Sequence, residues 1–212
     1  MMEEKLGVFL LALTFLSFSI SLIPLGYAGY GSSEGRVIRL DGGRDLIISL
    51  EVGSVELSRT NESHPYAVVR GFQVTYSGDG RIDGLAGRFQ VYVPDGWEGS
   101  LEIRLRYGSV LLNGTHLKSI SIYMNSGTVV GDFTALSEAR VSLRLGSVSL
   151  VLRIPEDSEP RVMLHCARYS LRYDGRVLSG SSLEALLWRG GRPLLIEINA
   201  SSAELSLLRG KG

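Results

Sequence analysis

The chain has 212 residues, 44% of them hydrophobic, with 22 Lys and Arg balanced by 22 Asp and Glu. A formal charge of zero excludes recruitment to nucleic acid or anionic lipid by a broad field. The length suits one domain, or one domain plus an anchor, and 26 glycines with few long helical patterns favour an all-β chain.

Leu6 to Ile23 is an apolar run broken only by Gly7, Thr14, Ser17, Ser19 and Ser21, and Pro24 ends it. At about 18 residues the run is long enough to span a bilayer. Gly26 and Ala28 stand at the −3 and −1 positions of a signal-peptidase site. Glu3, Glu4 and Lys5 make a poorly basic leader, so a cleaved signal and a retained anchor both stay open. A pilin-type leader cut after Gly7 is disfavoured by Leu6, and no cysteine near the run supports lipoprotein anchoring. Residues 1–28 are therefore expected to be a signal peptide or membrane anchor, 29–36 a Gly/Ser-rich spacer, and 37–208 the folded domain.

Val37 to Leu40 and Leu46 to Val52 read as strands around a turn at Asp41-Gly42-Gly43. Gly53-Ser54-Val55 then forms a corner, Thr60 to Pro65 a loop, Ser77 to Gly87 a turn-rich stretch, and Phe89 to Pro94 a strand. From Leu101 to Leu152 the chain repeats itself. Gly108-Ser109-Val110, Gly127-Thr128-Val129 and Gly146-Ser147-Val148 recur every 19 residues. In the same register Ile103 falls on Ile122 and Val141, and Leu105 on Met124 and Leu143. Apolar residues alternate with polar ones, so each unit is a strand with one face inward. Each strand ends at a glycine, where positive φ costs least, and the following Ser or Thr fixes the corner. A fixed period with alternating apolar columns marks a solenoid, because no single turn buries its own apolar face.

The fold class expected is thus all-β: a single-domain parallel β-solenoid, a right-handed β-helix by the usual hand of parallel crossovers, with irregular terminal caps. Regular coils are expected over about residues 100–172, with structural corners at Gly53, Gly108, Gly127 and Gly146. The 55 residues between Gly53 and Gly108 imply longer or interrupted N-terminal coils. Past the polar corner at Ile154 to Pro160, Leu164 to Leu171 reads as a further coil with Ala167 in the glycine column. Ser181 and Glu184 fit a capping box, which predicts a short helix over Ser181 to Trp188. Leu194 to Ile198 and Ala203 to Leu208 read as strands that cover the last open edge.

The glycine corners, the Val91-Tyr92-Val93-Pro94 strand end and the Ile154-Pro155-Glu156-Asp157 corner resemble an adhesin-like β-solenoid family of unknown function found in bacteria and archaea. The resemblance covers roughly Val37 to Gly180. It implies an exported position and carries over no catalytic residue.

Three of the four asparagines, Asn61, Asn113 and Asn199, lie in Asn-X-Ser/Thr acceptor sequons. Cys166, the one cysteine, falls in the column of Leu145 and reads as a buried small hydrophobe. His64, His116 and His165 lack metal-ligand spacing. The acidic stretches Asp79 to Gly84 and Glu156 to Glu159 lack the oxygen ladder of a calcium loop and read as turns. No phosphate-binding loop motif is present, so no metal or cofactor is expected.

Outward columns place Glu102, Ser121 and Arg140 in one row, Arg104, Tyr123 and Ser142 in the next, and Arg106, Asn125, Arg144 and His165 in a third. No carboxylate stacks on another, against the paired acids of polysaccharide-cleaving β-helices. A mildly basic stripe with an aromatic ring remains, and Arg104, Tyr123 and Arg144 form a candidate glycan face. The sequence thus predicts a non-enzymatic, extracytoplasmic, surface-associated structural or adhesion-type module, secreted or held at the membrane by its N-terminal segment. Cell-surface or envelope components, glycan or protein, are the expected partners, with no nucleic acid. Two alternatives stand beside it: a carbohydrate-binding or carbohydrate-active β-helix, and a membrane-anchored sensor or assembly partner.

Overall fold

A computed structural model describes residues 35–40, 45–95, 97, 99–189 and 191–210, all within one compact unit. The N-terminal apolar run, the expected cleavage site and spacer up to residue 34, and the turn expected at Asp41-Gly42-Gly43 lie outside the described residues. Among the described residues the protein is all-β, with no helix. Its strands are β1 (Arg36–Arg39), β2 (Asp45–Thr60), β3 (Tyr66–Phe72), β4 (Thr75–Ser77), β5 (Arg81–Pro94), β6 (Ser100–Pro155), β7 (Ser158–Tyr173), β8 (Arg176–Leu186) and β9 (Arg192–Gly210).

These strands form one mixed sheet in the order β1-β3-β5-β2-β6-β9-β7-β8, with β4 on β5. The inner ladders, from β5 through β2, β6 and β9 to β7, are parallel. The outer ones, β1 on β3, β3 on β5 and β8 on β7, are antiparallel. Antiparallel strands at both ends differ from the all-parallel pairing that the repeat predicts.

β6 is continuous over 56 residues, which would run about 180 Å if straight. It does not run straight. Its first residues lie on β2 and its last on β9. Between them it folds back on itself: the Ser137 hydroxyl donates to the Lys118 carbonyl 2.7 Å away, 19 residues earlier. Gly127 packs its α-carbon against the Gly108 carbonyl oxygen, and Gly146 packs against that of Gly127. Gly108 in turn meets Gly53, and Gly53 meets Gly87. A side chain at any of these corners would enter the carbonyl of its neighbour.

The alternation read from the repeat becomes the core. Ile82, Ile48, Ile103, Ile122, Val141, Ile198 and Leu164 form one line across the sheet, each no more than 1% exposed. Full burial of such a side chain contributes about 1.5–3 kcal/mol. A second line compensates for size. Val148 stands beside Ala203, and Ala203 beside the ring of Tyr169, so a small residue makes room for a large one.

The structure corrects three expectations near the C-terminus. First, β9 does not close the edge. It inserts between β6 and β7, and Gly146 N–H donates to the Ser201 hydroxyl 3.2 Å away, 55 residues on. Ala167 therefore lies beside Ser201, on β9, and not beside Gly146. Second, the edge is covered by β8, which pairs antiparallel with β7 through a turn at Asp174-Gly175. Third, residues 181–186 are strand and not helix. Leu183 and Ala185 alternate toward the core while Glu184 reaches Arg161 across the ladder. Pairing with β7 overrides the local capping signal, which only a free helix start would use.

The two ends are built alike. At the start the chain makes the inner strand β2, then the antiparallel β3, then the outer β5. At the finish it makes the outer β7, the antiparallel β8 and then the inner β9. The 55-residue gap between Gly53 and Gly108 is such an excursion, and Gly53 and Gly108 are direct register partners.

Candidate functional site

Outward side chains of β5, β2 and β6 line a shallow concavity of about 900 Å³. Register brings Asp83, Ser49 and Arg104 side by side, and the 19-residue period places Tyr123 and Ser142 in the same row. Arg104, Tyr123 and Arg144 all line this one depression. Leu50, Leu105, Met124 and Leu143, core residues each 4% exposed, also line the depression, between the polar side chains that alternate with them along the strands.

The electrostatics differ from a plain basic stripe, because β5 and β2 bring carboxylates that the repeat alone does not show. Arg81 Nε donates to Asp83 at 2.7 Å. That hydrogen bond holds the Asp83 carboxyl below the usual carboxylate range. Arg106 donates to Glu51 at 3.2 Å, and its guanidinium lies 5.5 Å over the Tyr107 ring. Arg104 pairs with Glu102. Arg144 lines the same concavity, is exposed, and makes no ion pair among the described residues.

Arg140 lies near Tyr123, and the Tyr123 hydroxyl is the chief reason its guanidinium is raised above its ordinary value. Arg140 is itself fixed by Glu138 at 2.9 Å and Glu197 at 3.0 Å. The Tyr123 ring, 37% exposed, is an aromatic surface that lines the concavity together with Arg104 and Arg144.

The sequons fall in different settings. Asn61 is exposed in the bend after β2. Asn113 is exposed on β6, its amide 3.4 Å from both Glu56 and Ser58, while Thr115 of the same sequon is fully buried. Asn199 is half-buried on β9 and donates to Glu197 at 3.1 Å. Cys166 is buried, with its thiol 3.9 Å from the Ile198 carbonyl, and burial pushes its pKa up. His165 is exposed on the opposite face of β7, and His64 shares a 2.8 Å hydrogen bond with Ser63 in an exposed loop. Among the described residues no three His, Cys, Asp or Glu side chains converge as a metal site would require.

The members of the site that the repeat missed are Arg81, Asp83 and Glu51. Their signal was present as alternation through Arg81-Ile82-Asp83, but the glycines on either side made the stretch read as a turn. Gly80 does turn, with φ of 89°, and β5 begins at the next residue.

No protein-family model matches the chain, and no curated protein matches it. Among solved structures it is similar to a crystal structure from Clostridium sporogenes described as a "putative cell adhesion protein", with 14% identity and a TM-score of 0.58. The match covers 85% of this chain and 100% of that one. At this identity the likeness is one of fold.

Proposed function

We propose that the protein is a non-enzymatic, adhesion-type module of the cell surface, displayed outside the cytoplasm and secreted or tethered by its N-terminal segment. The observation that carries the reading is the likeness in fold, over 85% of the chain, to a protein described as a "putative cell adhesion protein". Two features support it. The polar side chains gather on a broad, shallow face instead of a closed cleft. The close approaches of β6 to itself, at Gly108, Gly127 and Gly146 and at Lys118 and Ser137, support reading the centre of the domain as a β-solenoid, a scaffold suited to presenting such a face. Right-handed coiling is part of the proposal. The test is adsorption: fluorescently labelled full chain, mixed with intact cells or washed envelopes of its source, sediments with them. Label that stays in the supernatant at every concentration contradicts the reading.

A second reading is carbohydrate binding, favoured because Arg104, Tyr123 and Arg144 line one concavity. An aromatic ring and arginine forks are the groups that recognise sugar rings and their acidic substituents. A glycan array with wild type and an Arg104→Ala/Arg144→Ala double variant tests it. Signal on some glycan, lost in the variant, supports it, and a blank array removes it.

A further inference from the structure

Resting on the carbohydrate reading, we propose that the concavity binds a linear acidic glycan laid across the strands, with Arg144 and Arg106 as its anion subsites and Tyr123 as its stacking platform. The direction follows from the lining. Asp83, Ser49, Arg104, Tyr123 and Ser142 come from adjacent ladders, so a chain along this row crosses the strands. With strands about 4.8 Å apart, the row extends for roughly 20 Å. That is a track for an extended polymer.

The charge is unequal along the track. Four arginines line the concavity, Arg81, Arg104, Arg106 and Arg144, against two carboxylates, Glu51 and Asp83, and Arg104 is paired with Glu102 beside it, so the local excess is the charge of Arg144. At the β5 end Arg81 and Asp83 satisfy each other at 2.7 Å. At the other end Arg144 is exposed and makes no ion pair among the described residues. The middle is held by an exchangeable pair. Arg106 and Glu51 have side chains 58% and 52% exposed, and ion pairs that open contribute at most about 1 kcal/mol. The Glu51 carboxylate occupies the position that a ligand carboxylate or sulfate would take, so it is a built-in competitor. Zero net charge gives the molecule no general attraction for polyanions, so selectivity rests on this local excess and on the ring.

The test titrates the full chain with oligogalacturonate, a sulfated dextran oligosaccharide of equal length, and an uncharged cello-oligosaccharide. Binding of either acidic probe, at least about ten-fold tighter than the uncharged one, is expected. Which acidic probe binds distinguishes a carboxylate from a sulfate source. Arg144→Ala is expected to weaken the acidic probe about ten-fold, and Glu51→Gln to strengthen it about three-fold. Opposite signs from two exposed positions are not an effect of misfolding. An uncharged probe that binds as tightly, or affinities indifferent to both substitutions, overturns the acidic-track proposal and leaves the carbohydrate reading standing. No binding of any glycan overturns both. A single-stranded oligonucleotide that binds as tightly as the acidic glycan, with the same loss in Arg144→Ala, also overturns the proposal.

Discussion

Gly127 shows what the corner glycines do. Its φ is 152°, and a β-carbon there would enter the Gly108 carbonyl oxygen. Positive φ was legible from the repeat, but the close approach of two backbones was not, because it depends on which turn lies beneath. Gly127→Ala is expected to destabilise by on the order of 3 kcal/mol, since neither backbone can yield without disturbing a ladder. Gly78→Ala, where a β-carbon meets nothing within 4 Å, is expected to change stability by less than about 0.5 kcal/mol. Urea unfolding of the two variants checks the contrast. Gly87 was missed as a corner because Arg88 and Phe89 follow it where the other corners have Ser or Thr and then Val. The clustering that makes it a corner is spatial, through its register with Gly53.

Glu56, like Asp83, contributes to the acid limb of stability. Hydrogen bonds from Arg88 at 3.0 Å and Gln90 at 3.2 Å hold its carboxyl below the usual carboxylate range. A depressed folded-state pKa contributes stability that is fully present above the unfolded value, about 4.3, and lost as pH falls through the folded one. Stability is therefore expected to fall on acidification below about pH 4, and Glu56→Gln to be less stable at pH 7 with a flatter acid limb. Melting temperatures across pH 2–7 measure both, on the order of those bounds. Cys166 gives a third test. Its buried, raised thiol should resist alkylation at neutral pH and react at the rate of global opening.

Among the elements, β6 was the most legible, because 19 residues separate each corner from the next and the apolar columns stay in phase. Removing residues 109–127 joins Gly108 to Thr128 and returns every remaining column to register. That deletion is expected to leave a shorter chain that unfolds cooperatively, whereas removing residues 109–117 shifts the columns against each other and should abolish the transition. Circular dichroism with urea separates the outcomes. β8 and β9 were less legible, for a physical reason. A strand carries no mark of its neighbour in the sheet, so the insertion of β9 between β6 and β7 cannot be read from alternation alone. In β8 the Ser179-Gly180-Ser181-Ser182 run packs little of its own, and the local capping pattern was the stronger sequence signal until β7 supplied a ladder.

Across the described residues, a central run of parallel ladders is flanked at each end by antiparallel strands, with the chain order reversed between the two ends. This arrangement covers the open faces a repeat would otherwise offer for aggregation. The composition and the repeat foretold the strands and their inward faces. They foretold only half of the candidate site, since Arg104, Tyr123 and Arg144 come from one element while Asp83 and Glu51 arrive from two others. The proposal reads Leu6 to Ile23, which lie outside the described residues, as an export segment, so the surface role is best tested on the native molecule. The decisive measurement is the intact mass of the protein in membrane, culture-fluid and cytosolic fractions of its source. The proposal predicts a mass beginning near Gly29 in the culture fluid or a full-length mass in the membrane, with sugar-sized increments if Asn61, Asn113 or Asn199 is modified. A full-length, unmodified mass confined to the cytosol would contradict it.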